Sequence, residues 1–126
     1  MNKTKILIID DEENFSKLVK KNLERTGEFE VYAASEGSGG VSLARELKPD
    51  LILLDLIMPE LDGGDVAAMI RQEESLKDTP VVFLTAIVRP GEEAIQSSTG
   101  GYKVLPKTVT LGELITFIKT NANKGN

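Results

Sequence analysis

Five short apolar runs, each closed by turn-forming or polar residues, alternate with stretches whose apolar residues recur at helical spacing. This alternation constrains the fold more than any other feature of the chain. The runs are Lys5–Ile9, Glu30–Ala34, Leu51–Leu54, Val81–Leu84 and Tyr102–Leu105, most of them too continuously apolar to be half-exposed strands. Between and after them lie Phe15, Leu18, Val19 and Leu23; Val41, Ala44 and Leu47; Val66, Met69 and Ile70; and Leu111, Leu114, Ile115 and Ile118. The last stretch begins with Thr110 and Glu113, a capping-box pair. Parallel neighbours need a crossover, and the crossover is right-handed. The pattern therefore predicts a doubly wound α/β fold, a five-stranded parallel sheet of the (βα)5 kind. Pro106 cannot donate a ladder hydrogen bond, so the fifth strand is expected at an edge with the missing N–H outward, where the strand order 2-1-3-4-5 would place it. The fourth crossover is weak as a helix, since only Ala94 and Ile95 are apolar between Gly91 and Gly100, and at most two turns are expected there. Gly37-Ser38-Gly39-Gly40 lacks the Lys-Ser/Thr of a phosphate loop and is read as a loop turn.

A chain of 126 residues supports one core, so a single domain is expected over 1–126, with about 4–121 structured and 122–126 a polar tail. Nothing but that tail follows the last helical stretch, which predicts output through a protein partner and no encoded output domain. A composition 40% hydrophobic and 28% charged is that of a globular protein. The net charge of −5 argues against a nucleic-acid surface. The N-terminus, Met1 to Lys5, leads into a run of only four apolar residues before Asp10, too few for a signal peptide or a membrane span, so a cytoplasmic location is expected. The chain has no Cys and no His, which removes disulfides, thiolate and imidazole metal ligands and histidine general bases. Its chemistry must run on carboxylates, hydroxyls and amines.

Open parallel sheets bind ligands outside the carboxyl ends of their strands. The residues there are Asp10 and Asp11, Asp55, Thr85 and Lys107. Three converging carboxylates repel one another unless a cation lies among them. A donor set of oxygens alone selects a hard ion, Mg²⁺, with Mn²⁺ as the alternative. Asp55 is then a carboxylate nucleophile, Thr85 a hydroxyl donor and Lys107 a mobile positive charge, while the small Ala86 leaves room for a phosphoryl group. These are the parts that phosphoryl transfer uses. Taken singly, each has an ordinary reading: Asp10-Asp11 as a helix cap, Asp55 as a turn residue, Thr85 as a strand residue, Lys107 as a solvated charge.

The segments Ile6-Leu7-Ile8-Ile9-Asp10-Asp11-Glu12, Leu51-Ile52-Leu53-Leu54-Asp55 through Met58-Pro59 to Asp62-Gly63, Phe83-Leu84-Thr85-Ala86 and Leu105-Pro106-Lys107 together resemble the response-regulator receiver domains of two-component signalling. The intervals agree as well: Asp55 stands 44 residues after Asp11, Thr85 30 after Asp55, and Lys107 22 after Thr85. The resemblance covers essentially the whole chain. It implies that Asp55 is phosphorylated by a sensor histidine kinase, a phosphotransfer protein or a small phosphodonor. It further implies Mg²⁺ on Asp11 and Asp55, on Asp10 directly or through water, and on the backbone carbonyl of Ile57. Thr85 and Lys107 would bind the phosphoryl oxygens, and the signal would pass to a downstream protein. With the charge and the N-terminal run read above, no nucleic-acid or membrane partner is expected, nor enzymatic turnover.

Three departures accompany the match. Receivers usually carry Pro after the Lys with a cis bond between them, yet residue 108 is Thr. A cis non-proline bond costs about 2.5–4 kcal/mol, so either that cost is offset or the bond is trans and the loop is remodelled. Val104 stands where most receivers place an aromatic residue, and Tyr102 is expected to reach the same face only through a bulge or bend. The weak fourth helix predicts an unusual output surface. Ile57 and Ile87, two residues beyond Asp55 and Thr85, are expected to shield the phosphoryl group and lengthen its life. Two other functions compete: a receiver acting as an interaction module without phosphorylation, and a Mg²⁺-dependent phosphohydrolase of the haloacid-dehalogenase type. The latter wants an acid at position 57, which is Ile.

Overall fold

In a computed structural model that describes residues 3–56, 58, 62–86 and 102–122, the elements follow in the order β1 (Thr4–Ile9), α1 (Glu13–Arg25), β2 (Phe29–Ala34), α2 (Gly37–Leu47), β3 (Leu51–Leu54), α3 (Gly63–Gln72), β4 (Val81–Thr85), β5 (Lys103–Pro106) and α4 (Leu111–Asn121). The strands form one parallel sheet in the order β2-β1-β3-β4-β5. The weak crossover helix expected within 87–101, and Ile87 with it, lies outside the described residues.

Side chains alternate across a strand, so the continuously apolar runs feed two apolar layers rather than one. Leu7, Ile9, Ile52, Leu54 and Phe83 face α2 and α3. Ile6, Ile8, Leu51, Leu53 and Leu84 face α1 and α4. The helical faces are offset from the expected ones by about a residue: Leu18, Met69 and Leu111 are exposed, while Ser16 and Ala67 are buried in their stead. The Gly37–Gly40 segment is not a loop turn but the opening of α2. A Cβ on Gly40 would stand 2.6 Å from Ile9 Cδ1, so the missing side chain lets the helix lie directly on β1.

β5 is an edge strand, as Pro106 requires. The Lys107 N–H donates to the Thr85 carbonyl at 2.9 Å, so alternation along the strand turns the Pro106 nitrogen away from β4. Its ladder runs from Val82↔Lys103 to Thr85↔Pro106 without a bulge. Tyr102 nonetheless packs against the same apolar layer as Val104, which corrects the expectation that a bend is needed: residues two apart share a face. Its ring meets Phe83 edge-on at 5.5 Å. β2, the opposite edge, is fastened from the side by α1. Lys20 Nζ donates to the Val31 carbonyl at 3.0 Å and the Val31 N–H donates to Glu24 Oε2 at 3.1 Å. That N–H first, and Lys20 next, hold the Glu24 carboxyl below its ordinary value.

At the start of α4, the Glu113 N–H donates to Thr110 Oγ1 at 3.1 Å and the Thr110 N–H donates to Glu113 Oε1 at 3.0 Å, the reciprocal cap expected from the sequence. Thr110→Ala is expected to cost about 1 kcal/mol in urea unfolding; an unchanged midpoint would show that the cap does not bear on global stability.

Candidate functional site

The parallel ladder between β1 and β3 sets Asp55 beside Asp10. Asp55 N–H donates to the Ile9 carbonyl at 2.9 Å, and Asp10 N–H to the Ala34 carbonyl at 3.0 Å, so both side chains emerge at the carboxyl edge of the sheet. They are only 6% and 1% exposed, whereas Asp11 faces solvent. One carboxylate oxygen from each of Asp10, Asp11 and Asp55 lies within 4.8 Å of the other two. The capping reading of Asp10 does not hold: its Oδ1 accepts from the Glu12 N–H at 2.9 Å, and Glu12, the residue at the N-cap of α1, makes no side-chain cap bond.

Lys107 closes the site from β5. Its Nζ lies 2.8 Å from Asp10 Oδ2 and 3.5 Å from Asp55 Oδ2, is hydrogen-bonded to Glu12 Oε1, and stands 4.8 Å from the centroid of the Phe15 ring. Burial works to lower the ammonium pKa, but the carboxylates of Asp10, Glu12 and Asp55 outweigh it and hold the group above its ordinary value. The Lys107–Thr108 bond is trans, so the remodelled corner expected as one of two alternatives is the one present, and the ammonium still reaches the acidic cluster. Thr85, buried at the end of β4, completes the strand-end set, and Ala86 beside it is exposed. Ile57, expected to offer its carbonyl, lies outside the described residues.

Glu12 and Phe15 are contacts of Lys107 that sequence reasoning missed. The only signal was that both stand within four residues after Asp11, Glu12 at the N-cap of α1 and Phe15 in its first turn. Gly63 is a third. Its N–H donates to the Leu56 carbonyl at 2.7 Å, and a Cβ there would stand 2.5 Å from the Asp55 carbonyl oxygen and 2.8 Å from Leu56 Cα. The head of α3 is thereby drawn against the backbone that carries Asp55.

The donor set fits a hard divalent cation: three carboxylates, two buried and one open to solvent, and no nitrogen or sulfur ligand. Among the described residues no helix is long and apolar enough to cross a membrane.

Comparison with known proteins agrees with this geometry. The family model of the response regulator receiver domain matches residues 6–119. The DNA-binding dual master transcriptional regulator RpaA of Synechocystis sp. is 37% identical over 115 residues, which are 91% of this chain and 47% of that protein. The alkaline phosphatase synthesis transcriptional regulatory protein PhoP of Bacillus subtilis is 45% identical over 86 residues, 68% of this chain and 34% of that one. The chain thus spans at most about half the length of these relatives. Among solved structures, the signal receiver domain of the response regulator NarL of Mycobacterium tuberculosis superposes with a TM-score of 0.81 at 28% identity, covering 100% of both chains. The chemotaxis protein CheY4 of Vibrio cholerae shares the fold with a TM-score of 0.83 at 24% identity, covering 95% of this chain and 99% of that one. The expectation that nucleic acid plays no part finds no support in these relatives, two of which are named as transcriptional regulators.

Proposed function

The chain belongs to the response-regulator receiver family of two-component systems, and on that premise we propose that it is a phosphoryl-accepting switch with Asp55 as the acceptor. The observation that carries this reading is the gathering of Asp10, Asp11 and Asp55 within 4.8 Å with the Lys107 ammonium seated against two of them.

In the proposed reaction an Asp55 carboxylate oxygen attacks phosphorus, a new P–O bond forms, and the bond from phosphorus to the donor breaks with its electron pair leaving on the donor. The donor is the phosphohistidine of a sensor kinase or phosphotransfer protein, or a small acyl phosphate. Lys107 supplies a fixed positive charge to a phosphoryl oxygen, and the Thr85 hydroxyl can donate to another. Burial of Asp10 and Asp55 keeps water from diluting that charge. Asp10, Asp11 and Asp55 would hold Mg²⁺, which supplies neutralisation of the crowded carboxylates and of the incoming phosphoryl charge. The acceptor is used once per signal and is not a turnover catalyst. The phosphorylated surface would address a protein partner, and in a longer chain a DNA-binding output like those for which the relatives are named.

The phosphorylation-independent alternative drew on Thr108 and on the aromatic residue missing at position 104. The approach of Lys107 to Asp55 despite a trans bond speaks against it. Intact-mass measurement after incubation with acetyl phosphate is expected to show one added phosphoryl group in Mg²⁺ and none in EDTA. A folded protein that gains no mass in Mg²⁺, under conditions that phosphorylate an ordinary receiver, would restore the interaction-module reading.

A further inference from the structure

The Lys107 ammonium is held by two carboxylates besides the acceptor. Asp10 Oδ2 lies 2.8 Å from it and Glu12 is hydrogen-bonded to it, while Asp55 Oδ2 stands farther off at 3.5 Å. An ammonium drawn onto phosphoryl oxygens at Asp55 shares its three donors with these two holds, so each hold competes with the phosphoryl group for it. Asp10 is 1% exposed and belongs to the set that would hold Mg²⁺, so it remains part of the site in either state. The Glu12 side chain is 61% exposed and is rehydrated on release at little cost.

Glu12 is also placed for this task and for no other evident on the structure. It occupies the N-cap of α1, where Ser, Thr, Asp or Asn would serve better, and its carboxylate makes no cap bond. Its backbone N–H is tied to Asp10 Oδ1, which fixes the residue at the lip of the site, and its side chain crosses to a lysine 95 positions away in sequence. The Phe15 ring lies 4.8 Å from the ammonium and offers it an apolar, weakly attractive face whichever carboxylate it serves.

We propose that Glu12 is a positioning residue that acts through Lys107: an exposed tether that holds the ammonium in the unphosphorylated state and competes with the phosphoryl oxygens for it. The inference rests on Asp55 being the acceptor. The tether sets the balance between the two states, because each gain in its hold on Lys107 is a loss of phosphoryl binding.

Beryllium trifluoride with Mg²⁺, a stable mimic of an acyl phosphate, gives an equilibrium readout by titration under fluorine NMR. Glu12→Gln is expected to bind it about fivefold more tightly than the wild type, the scale of one partly exposed ion pair. Glu12→Ser, which removes the tether while improving the helix cap, is expected to do the same, with thermal melts confirming that both fold. In a Lys107→Gln background the Glu12→Gln change is expected to alter binding by less than about twofold, since the competition acts through the ammonium. A merely structural or long-range charge effect of Glu12 would persist in that background and would overturn the proposal. Unchanged or weaker binding by both Glu12 variants, in a protein whose wild type binds the mimic, overturns the tether and leaves the acceptor reading standing. A folded wild type that binds no mimic overturns both.

Discussion

Asp55→Asn is expected to abolish phosphoryl uptake and, in metal-free buffer, to make the protein about 1–2 kcal/mol more stable to urea. The two effects have one origin. Asp55 is buried and shares a space within 4.8 Å with carboxylate oxygens of Asp10 and Asp11, while the Lys107 ammonium stands 3.5 Å away. Crowding by like charges and desolvation are costs that a neutral amide of the same shape does not carry, so the amide is expected to relieve the fold. The amide nitrogen cannot attack phosphorus as a carboxylate oxygen does, so the gain in stability comes with loss of function. Saturating Mg²⁺ is expected to remove or reverse the stability difference, because a cation among the carboxylates turns their crowding into ligation. Urea melts of both proteins in EDTA and in Mg²⁺ measure this. Equal stability in EDTA would mean that the three carboxylates are not in electrostatic conflict.

The second large effect is expected at Gly63. A methyl group there would meet the Asp55 carbonyl oxygen at 2.5 Å, Leu56 Cα at 2.8 Å and the Leu56 carbonyl oxygen at 2.9 Å, all backbone atoms that cannot rotate aside. Gly63→Ala is therefore expected to cost about 3 kcal/mol and to slow phosphoryl uptake in the molecules that remain folded, since relief requires moving the segment that aims Asp55. Gly39→Ala serves as its control. It also lies in a helix, but nothing stands within 4 Å of its added carbon, so it is expected to stabilise by a few tenths of a kcal/mol. Chemical denaturation of the two variants compares them directly. Similar midpoints would mean that α3 can shift off the Asp55 backbone at no cost.

Most of the sheet was legible because its strands are buried on both faces and so read as unbroken apolar runs. β3 matches its expected span, and β5 moved by one residue because Pro106 can occupy an outer-edge position within a strand. The helices among the described residues were legible in place but not in rotation. Short amphipathic stretches admit neighbouring faces, and the choice of Ser16 over Leu18 or Ala67 over Met69 is made by packing against the sheet. The glycines of α2 were read as a loop turn on motif grounds alone, and the 2.6 Å approach of Ile9 that requires one of them depends on packing that the sequence does not display. At the site, Asp10, Asp11, Asp55 and Lys107 followed from strand-end logic, and the structure brings them together. Glu12 and Phe15 did not follow, since their contacts with Lys107 depend on how the turn after β1 meets the turn after β5.

The fastening of β2 by α1 bears on what the chain does in the company of its own copies. An outer strand offers a row of unused amides and carbonyls on which another strand can grow. At the middle of this one, the Lys20–Glu24 pair already occupies both polar groups of Val31. A strand arriving there would have to break two hydrogen bonds before making its own, so the pair acts as a gatekeeper against edge-to-edge aggregation. Acid undoes it in a defined direction: the lowered Glu24 carboxyl keeps its hold above the ordinary carboxylate range and loses it as pH falls through its depressed value, which leaves the flank of the sheet open to templated growth.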